Sequence, residues 1–139
     1  MKNHKTTINS LKIWVADDDD IYRFILIEIL KKYIPPENIE AFPEGESLLE
    51  EINSSLQDPD QLPDYILLDL NMPIMDGWEF LDQFIKLQVP NKIFINIVTS
   101  SYDQADINKA KDYPVVSNYY IKPISNEAVE EILKGAINI

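Results

Sequence analysis

Apolar residues fall in short runs that alternate with stretches of helical spacing. Residues 12–16 (KIWVA) form a mostly apolar run that stops at four aspartates, the pattern of a buried strand reaching the surface at its C-terminal end. Beyond it, Ile21, Phe24, Ile25, Ile29 and Leu30 recur at helical spacing. Asp20 suits an N-cap and Pro35-Pro36 ends the segment, so a helix is predicted over 21–33. The alternation repeats: strand 39–42, helix 44–53, strand 65–68, helix 77–86, strand 93–98. Ser101 and Gln104, at capping-box spacing, open a fourth helix. A short strand at 119–121 and a helix at 126–137 complete the pattern.

Strands each followed by a helix predict an α/β fold, a parallel sheet covered on both faces, because parallel neighbours need crossovers. The 139-residue length suits one domain spanning 1–139, with its core at about 11–134 and no room for an output domain. Segment 54–63 (SSLQDPDQLP) alone has linker composition and reads as a long loop.

Charge narrows the functional classes. Twelve Lys+Arg against 24 Asp+Glu give a net charge of −12, which disfavours nucleic acid and anionic membrane surfaces as partners. With no Cys and a single His, His4 in a polar N-terminal stretch, thiolate and histidine chemistry are nearly excluded. No apolar run is long enough to span a membrane and the N-terminus has no signal core, so a cytoplasmic location is expected.

In open α/β sheets ligands bind beyond the C-terminal strand ends, where the strand order reverses. For the order 2-1-3-4-5 that point lies between the first and third strands, which here end in Asp17-Asp18-Asp19-Asp20 and in Asp69. Carboxylates gathered there raise one another's pKa unless a cation relieves them. Oxygen donors alone point to a hard ion, Mg²⁺ more than Ca²⁺. An EF-hand reading of Asp17, Asp19 and Glu28 fails because Tyr22 stands where glycine is needed. The fourth and fifth strands bring Thr99-Ser100 and Lys122-Pro123 to the same edge. A carboxylate nucleophile, a hydroxyl, an ammonium and a metal make a phosphoryl-transfer set.

The ordered set Asp17-Asp18, LLDLNMPIMDGWEF (67–80) around Asp69, Thr99-Ser100 and Lys122-Pro123 resembles the receiver domain of two-component response regulators over about residues 11–134. The resemblance implies a flavodoxin-like, doubly wound, five-stranded parallel sheet of order 2-1-3-4-5 with five helices. It implies a single-domain regulator that takes a phosphoryl group from phosphohistidine onto Asp69 and is not an enzyme on other substrates. Asp18, Asp69 and the Asn71 backbone carbonyl would hold Mg²⁺, with Asp17 acting through water. Lys122 would pair with the phosphoryl oxygens, Thr99 would move its hydroxyl onto them, and Tyr119 matches the switch aromatic that turns inward. Implied partners are a sensor histidine kinase or phosphotransfer protein and a downstream protein target, with the chain a monomer or weak homodimer. Met72-Pro73 and Asp76-Gly77 fit the loop after the third strand, where Gly77 suits a tight turn's backbone angles. Where the family has a Gly-Ala pair before the fifth strand, this chain has Tyr113-Pro114-Val115-Val116-Ser117-Asn118.

Two other readings compete. A Mg²⁺-dependent phosphohydrolase of haloacid-dehalogenase type needs a second carboxylate where Asn71 stands and a cap-sized insertion that the chain lacks. A receiver scaffold that takes no phosphate conflicts with the intact Asp17, Asp18, Asp69, Thr99 and Lys122 set.

Overall fold

The computed structural model describes residues 10–137, and His4 lies outside the described residues. Five strands, β1 (Ile13–Ala16), β2 (Ile39–Phe42), β3 (Tyr65–Leu68), β4 (Phe94–Thr99) and β5 (Val116–Ile121), pair in parallel in the order β2-β1-β3-β4-β5. Between and after them run α1 (Asp20–Leu30), α2 (Gly45–Ser55), α3 (Gly77–Leu87), α4 (Gln104–Ala110) and α5 (Asn126–Ile137). The flavodoxin-like arrangement expected from the sequence is the one observed.

Side-chain alternation along the strands divides the core between the two faces of the sheet. Ile13, Val15, Tyr65, Leu67 and Val98 pack with Leu26 and Leu30 of α1 and with Val129, Ile132 and Leu133 of α5. Trp14, Ala16, Ile66, Leu68 and Ile95 face the other way, onto Leu48 and Ile52 of α2 and Phe80, Leu81 and Phe84 of α3. A smaller group, Leu70, Ile97 and Ala110, seats α4. The inner strands β1 and β3 are buried at every position, which is why they read as continuous apolar runs.

Element ends differ from expectation in ways that local hydrogen bonds explain. The α1 cap is Asp19, not Asp20: Asp19 Oδ1 accepts from the N–H of Ile21 and Tyr22, both at 3.1 Å. Asp20 is the first helical residue and pairs with Arg23 at 2.6 Å. The helix also stops at Leu30, three residues before Tyr33, because residues 31–33 close as turns onto carbonyls of the last turn. The Ser101–Gln104 capping box does not form. Asp103 caps α4 through the Ala105 N–H, while Ser101 Oγ donates to Asp106 at 2.6 Å.

Two segments hold more structure than predicted. β5 begins at Val116, before the expected Tyr119, with a bulge opposite Ile95/Asn96; as an edge strand it exposes Ser117 and Asn118, so it lacks an apolar signature. In 54–63, α2 persists to Ser55, a 3₁₀ turn covers Pro59–Gln61 and Leu62 is buried. Asn91 Nδ2 donates to the Pro59 carbonyl at 2.9 Å and Lys12 Nζ donates to the Asp60 carbonyl, which fasten the segment.

The loop from β3 to α3 also departs from the turn-angle argument for Gly77. No described glycine has positive φ; Gly77 is required by contact instead. A Cβ there would lie 2.5 Å from the Asp69 carbonyl oxygen and 2.9 Å from Leu70 Cα. The left-handed position is Ile74, at φ 69°, where a β-branched side chain is strained. Gly77→Ala should therefore destabilise the fold by roughly 1–3 kcal/mol, as overpacking against backbone does. Ile74→Gly should stabilise it by about 1 kcal/mol, the relieved strain exceeding the added freedom of the unfolded chain. Urea unfolding midpoints at constant slope check both.

Candidate functional site at the carboxyl edge of the sheet

The parallel ladder continues one residue beyond three strands, and each added residue carries chemistry. The Asp17 N–H donates to the Phe42 carbonyl at 3.0 Å, the Asp69 N–H to Ala16 at 3.0 Å, and the Lys122 N–H to Thr99 at 2.8 Å. Strand register therefore fixes where the two carboxylates and the ammonium emerge. Asp17 is 2% exposed, Asp69 5% and Thr99 0%, whereas Asp18 is exposed at the mouth.

Lys122 Nζ lies 2.8 Å from Asp17 Oδ2 and 3.1 Å from Asp69 Oδ2. The other oxygen of each carboxylate is held by backbone. Asp17 Oδ1 accepts from the Asp19 N–H at 2.9 Å, and Asp69 Oδ1 from Leu70 at 2.7 Å and Asn71 at 3.4 Å. Burial raises Asp17 above its ordinary 3.8, against the Lys122 and Asp19 hydrogen bonds that lower it. Burial alone would lower Lys122, but the Asp17 hydrogen bond and the Asp69 and Asp17 charges outweigh it and hold the ammonium above 10.5. One cation thus faces two buried carboxylates.

Asp17, Asp18 and Asp69 each place one oxygen within 4.8 Å of the others. With one ammonium for three carboxylates and only hard oxygen donors, the site's chemistry fits Mg²⁺. Asn71 lies on the loop just beyond Asp69, with its N–H directed at that carboxylate.

Thr99 and Tyr119 reach the site by a shared loop. The Ser101 N–H donates to Thr99 Oγ1 at 3.4 Å, and the Tyr119 hydroxyl donates to the Ser101 carbonyl at 2.9 Å. Tyr119, half-buried, packs against Leu70, Ile97 and Ala110. Thr99 is at the expected edge with its hydroxyl bonded to the loop rather than to Asp69.

Two participants escaped the sequence reading. Arg23 Nη1 donates to the Asp17 carbonyl at 2.5 Å, bracing the acidic turn. The Tyr22 ring lies under Lys122, with Nζ 4.5 Å from its centroid. A half-apolar helix face hides both, since an aromatic and an arginine in a first turn read as packing and a solvated pair.

Added Mg²⁺ should raise the melting temperature, by about 1.4 kcal/mol of stability at ten times Kd. Asp17→Asn should remove most of that gain. Because the Asp17 pKa is raised, protonation competes with the ion from a pH above 3.8, so the Mg²⁺-dependent rise should fade as pH falls through that raised value. Without Mg²⁺ the sign reverses: the buried carboxylate costs stability above its folded pKa and the loss is regained as pH falls through it. Thermal melts at several pH values with and without Mg²⁺ check both signs.

A family model for the response regulator receiver domain matches residues 13–134. The crystal structure of a two-component response regulator from Cytophaga hutchinsonii superposes with a TM-score of 0.82 at 28% identity, covering 92% of this chain and 97% of that one. The receiver domain of the sensor histidine kinase PA1611 from Pseudomonas aeruginosa, with a magnesium ion coordinated in its active-site cleft, shares the fold at TM-score 0.75 and 17% identity over 93% and 98% of the two chains. Among curated proteins, the sensor histidine kinase CheAY of Helicobacter pylori is 29% identical over 91% of this chain, and the 3',5'-cyclic-nucleotide phosphodiesterase regA of Dictyostelium discoideum 30% over 88%. The match spans 15% of the length of each of these two. Fold, strand-end chemistry and family match agree: the chain belongs to the response regulator receiver domain family.

Proposed function

We propose that this chain is a response regulator that accepts a phosphoryl group on Asp69 from the phosphohistidine of a sensor histidine kinase or phosphotransfer protein. One observation carries the reading: a buried Asp69 carboxylate 3.1 Å from the Lys122 ammonium, sharing its cleft with Asp17 and Asp18. An Asp69 carboxylate oxygen attacks phosphorus, the phosphorus–nitrogen bond breaks, and the imidazole leaves with its electron pair. Asp18, Asp69 and the Asn71 carbonyl would hold Mg²⁺, with Asp17 acting through water. When bound, the ion offsets charge on the transferring phosphoryl oxygens. Lys122 supplies the second positive charge, already aimed at Asp69.

The phosphoryl group adds about −1.5 to −2 charge. Lys122 is released from sharing its ammonium between two carboxylates, and Thr99 gives up the hydrogen bond it accepts from the Ser101 N–H and turns its hydroxyl to donate to a phosphoryl oxygen. That exchange pulls on residues 99–103, and Tyr119, tied to the Ser101 carbonyl, carries the displacement to β5 and α4. The loop is the two-state element, biased by interactions that only the phosphorylated state makes.

A protein donor fits the surroundings better than a small substrate. Ile21 (74% exposed) and Phe24 (64%) on α1 and Ile74 (72%) on the β3–α3 loop present apolar surface on the segments that follow Asp17 and Asp69. The downstream target is likewise a protein, and the net charge of −12 argues against nucleic acid. Among the described residues no helix is long and apolar enough to cross a membrane.

With acetyl phosphate and Mg²⁺, intact mass should show one added, hydroxylamine-labile phosphoryl group, lost in Asp69→Asn; equal labelling of that variant would contradict the assignment. Thr99→Ala should still be labelled, but its beryllofluoride-induced amide shifts should stay near Asp69, whereas those of the wild type extend through residues 99–122.

A further inference from the structure

We infer that Tyr22 is a positioning residue for the phosphoryl site, holding Lys122 in place through its ring face and holding the segment that follows Lys122 through its phenol oxygen. The inference deepens the proposed phospho-acceptor role and rests on it for its kinetic arm. Tyr22 lies in the first turn of α1, two residues beyond the start of the helix that Asp19 caps. Its ring centroid is 4.5 Å from Lys122 Nζ, within cation–π range, and the same Nζ contacts Asp17 and Asp69. Its hydroxyl oxygen accepts the Ile124 N–H at 3.0 Å. Ile124 is buried with Leu26, Leu30 and Val129, so this hydrogen bond joins α1 to the β5–α5 connection at a point anchored in the core.

The two contacts act on different degrees of freedom. A lysine has a flexible four-carbon stem, and its compact ammonium can be satisfied in many directions. Two carboxylates on its polar side define where it is attracted but leave it free to shift toward either. The aromatic face adds a third, uncharged contact to the ammonium, and it does so without neutralising charge that the phosphoryl group will need. Meanwhile the Ile124 hydrogen bond fixes the backbone two residues along, which limits where the stem can start. Tyr22 therefore keeps Lys122 aimed at Asp69 both before and after the phosphoryl group arrives.

The variants separate these contributions. Tyr22→Leu removes ring and hydroxyl, and Tyr22→Phe keeps the ring. With acetyl phosphate and Mg²⁺, Tyr22→Leu should slow labelling of Asp69 about fivefold to tenfold, the range of a partly desolvated cation–π contact, and Tyr22→Phe should recover most of the rate. Because Tyr22 acts through Lys122, its replacement should have little further effect in a Lys122→Ala background. A purely structural role would instead lower the rate equally in both backgrounds, and that result would overturn the inference. Independently of any phosphoryl transfer, NMR of the lysine side chain should show the Lys122 ε-protons shifted upfield by the ring in the wild type and Tyr22→Phe, and not in Tyr22→Leu. An unshifted wild-type signal would overturn the inference even if Asp69 is labelled. An unlabelled wild type with the shift present would count against the phospho-acceptor role and leave Tyr22 as the residue that holds Lys122.

Discussion

The Lys122 ammonium between Asp17 and Asp69 is the contact around which the carboxyl edge of this sheet is arranged. Burying ions costs several kcal/mol each unless partners and hydrogen bonds compensate. Here every oxygen of the two carboxylates accepts from either Lys122 or a backbone N–H. The compensation is incomplete in charge, since two carboxylates share one cation and Asp18 adds a third at the mouth. A site built this way is poised for further positive charge and for a reaction at Asp69 that redistributes the negative charge.

Parallel strand pairing makes that arrangement possible. A one-residue slip of β3 against β1 would turn each β3 side chain toward the opposite helix layer and carry Asp69 away from Asp17. The register is held by the two core faces, Trp14 and Ala16 on one side and Ile13 and Val15 on the other. Gly77 then lets α3 start against the Asp69 backbone, where any side chain would push the Asp69 loop outward. The packing that stabilises the fold and the placement of the Asp69 carboxylate are the same set of contacts.

How much of this was legible in the sequence follows from which forces are local. β1 and β3 could be read because a strand buried on both faces is apolar throughout, and β4 because Asn96 is the one polar residue inside its apolar run; Asp17, Asp69 and Thr99 could be read because polar residues end those runs, and Lys122 because it ends the short apolar stretch of β5. The start of β5 could not, because Ser117 and Asn118 on an edge strand face outward and carry no pattern. Cap positions at Asp19 and Asp103 were missed by one or two residues where several acidic or hydroxyl side chains compete for the same amides. Tyr22 was missed because its partners, Lys122 and Ile124, are far away in the chain, and Arg23 because its contact is with a backbone carbonyl, that of Asp17; helical spacing indicates neither.

The Thr99–Ser101–Tyr119 chain of hydrogen bonds gives a contiguous path from the cleft to the α4–β5 surface, and its first link, at 3.4 Å, is a long one; in the proposed switch that link breaks when the Thr99 hydroxyl turns to donate to a phosphoryl oxygen. The central chemical claim, that Asp69 alone becomes the acyl phosphate, is tested most directly by borohydride reduction of the acetyl-phosphate-treated protein, which converts an aspartyl phosphate to homoserine, followed by peptide sequencing. The account predicts homoserine at position 69 and unmodified Asp17 and Asp18; homoserine at either of those positions, or at none, would contradict it.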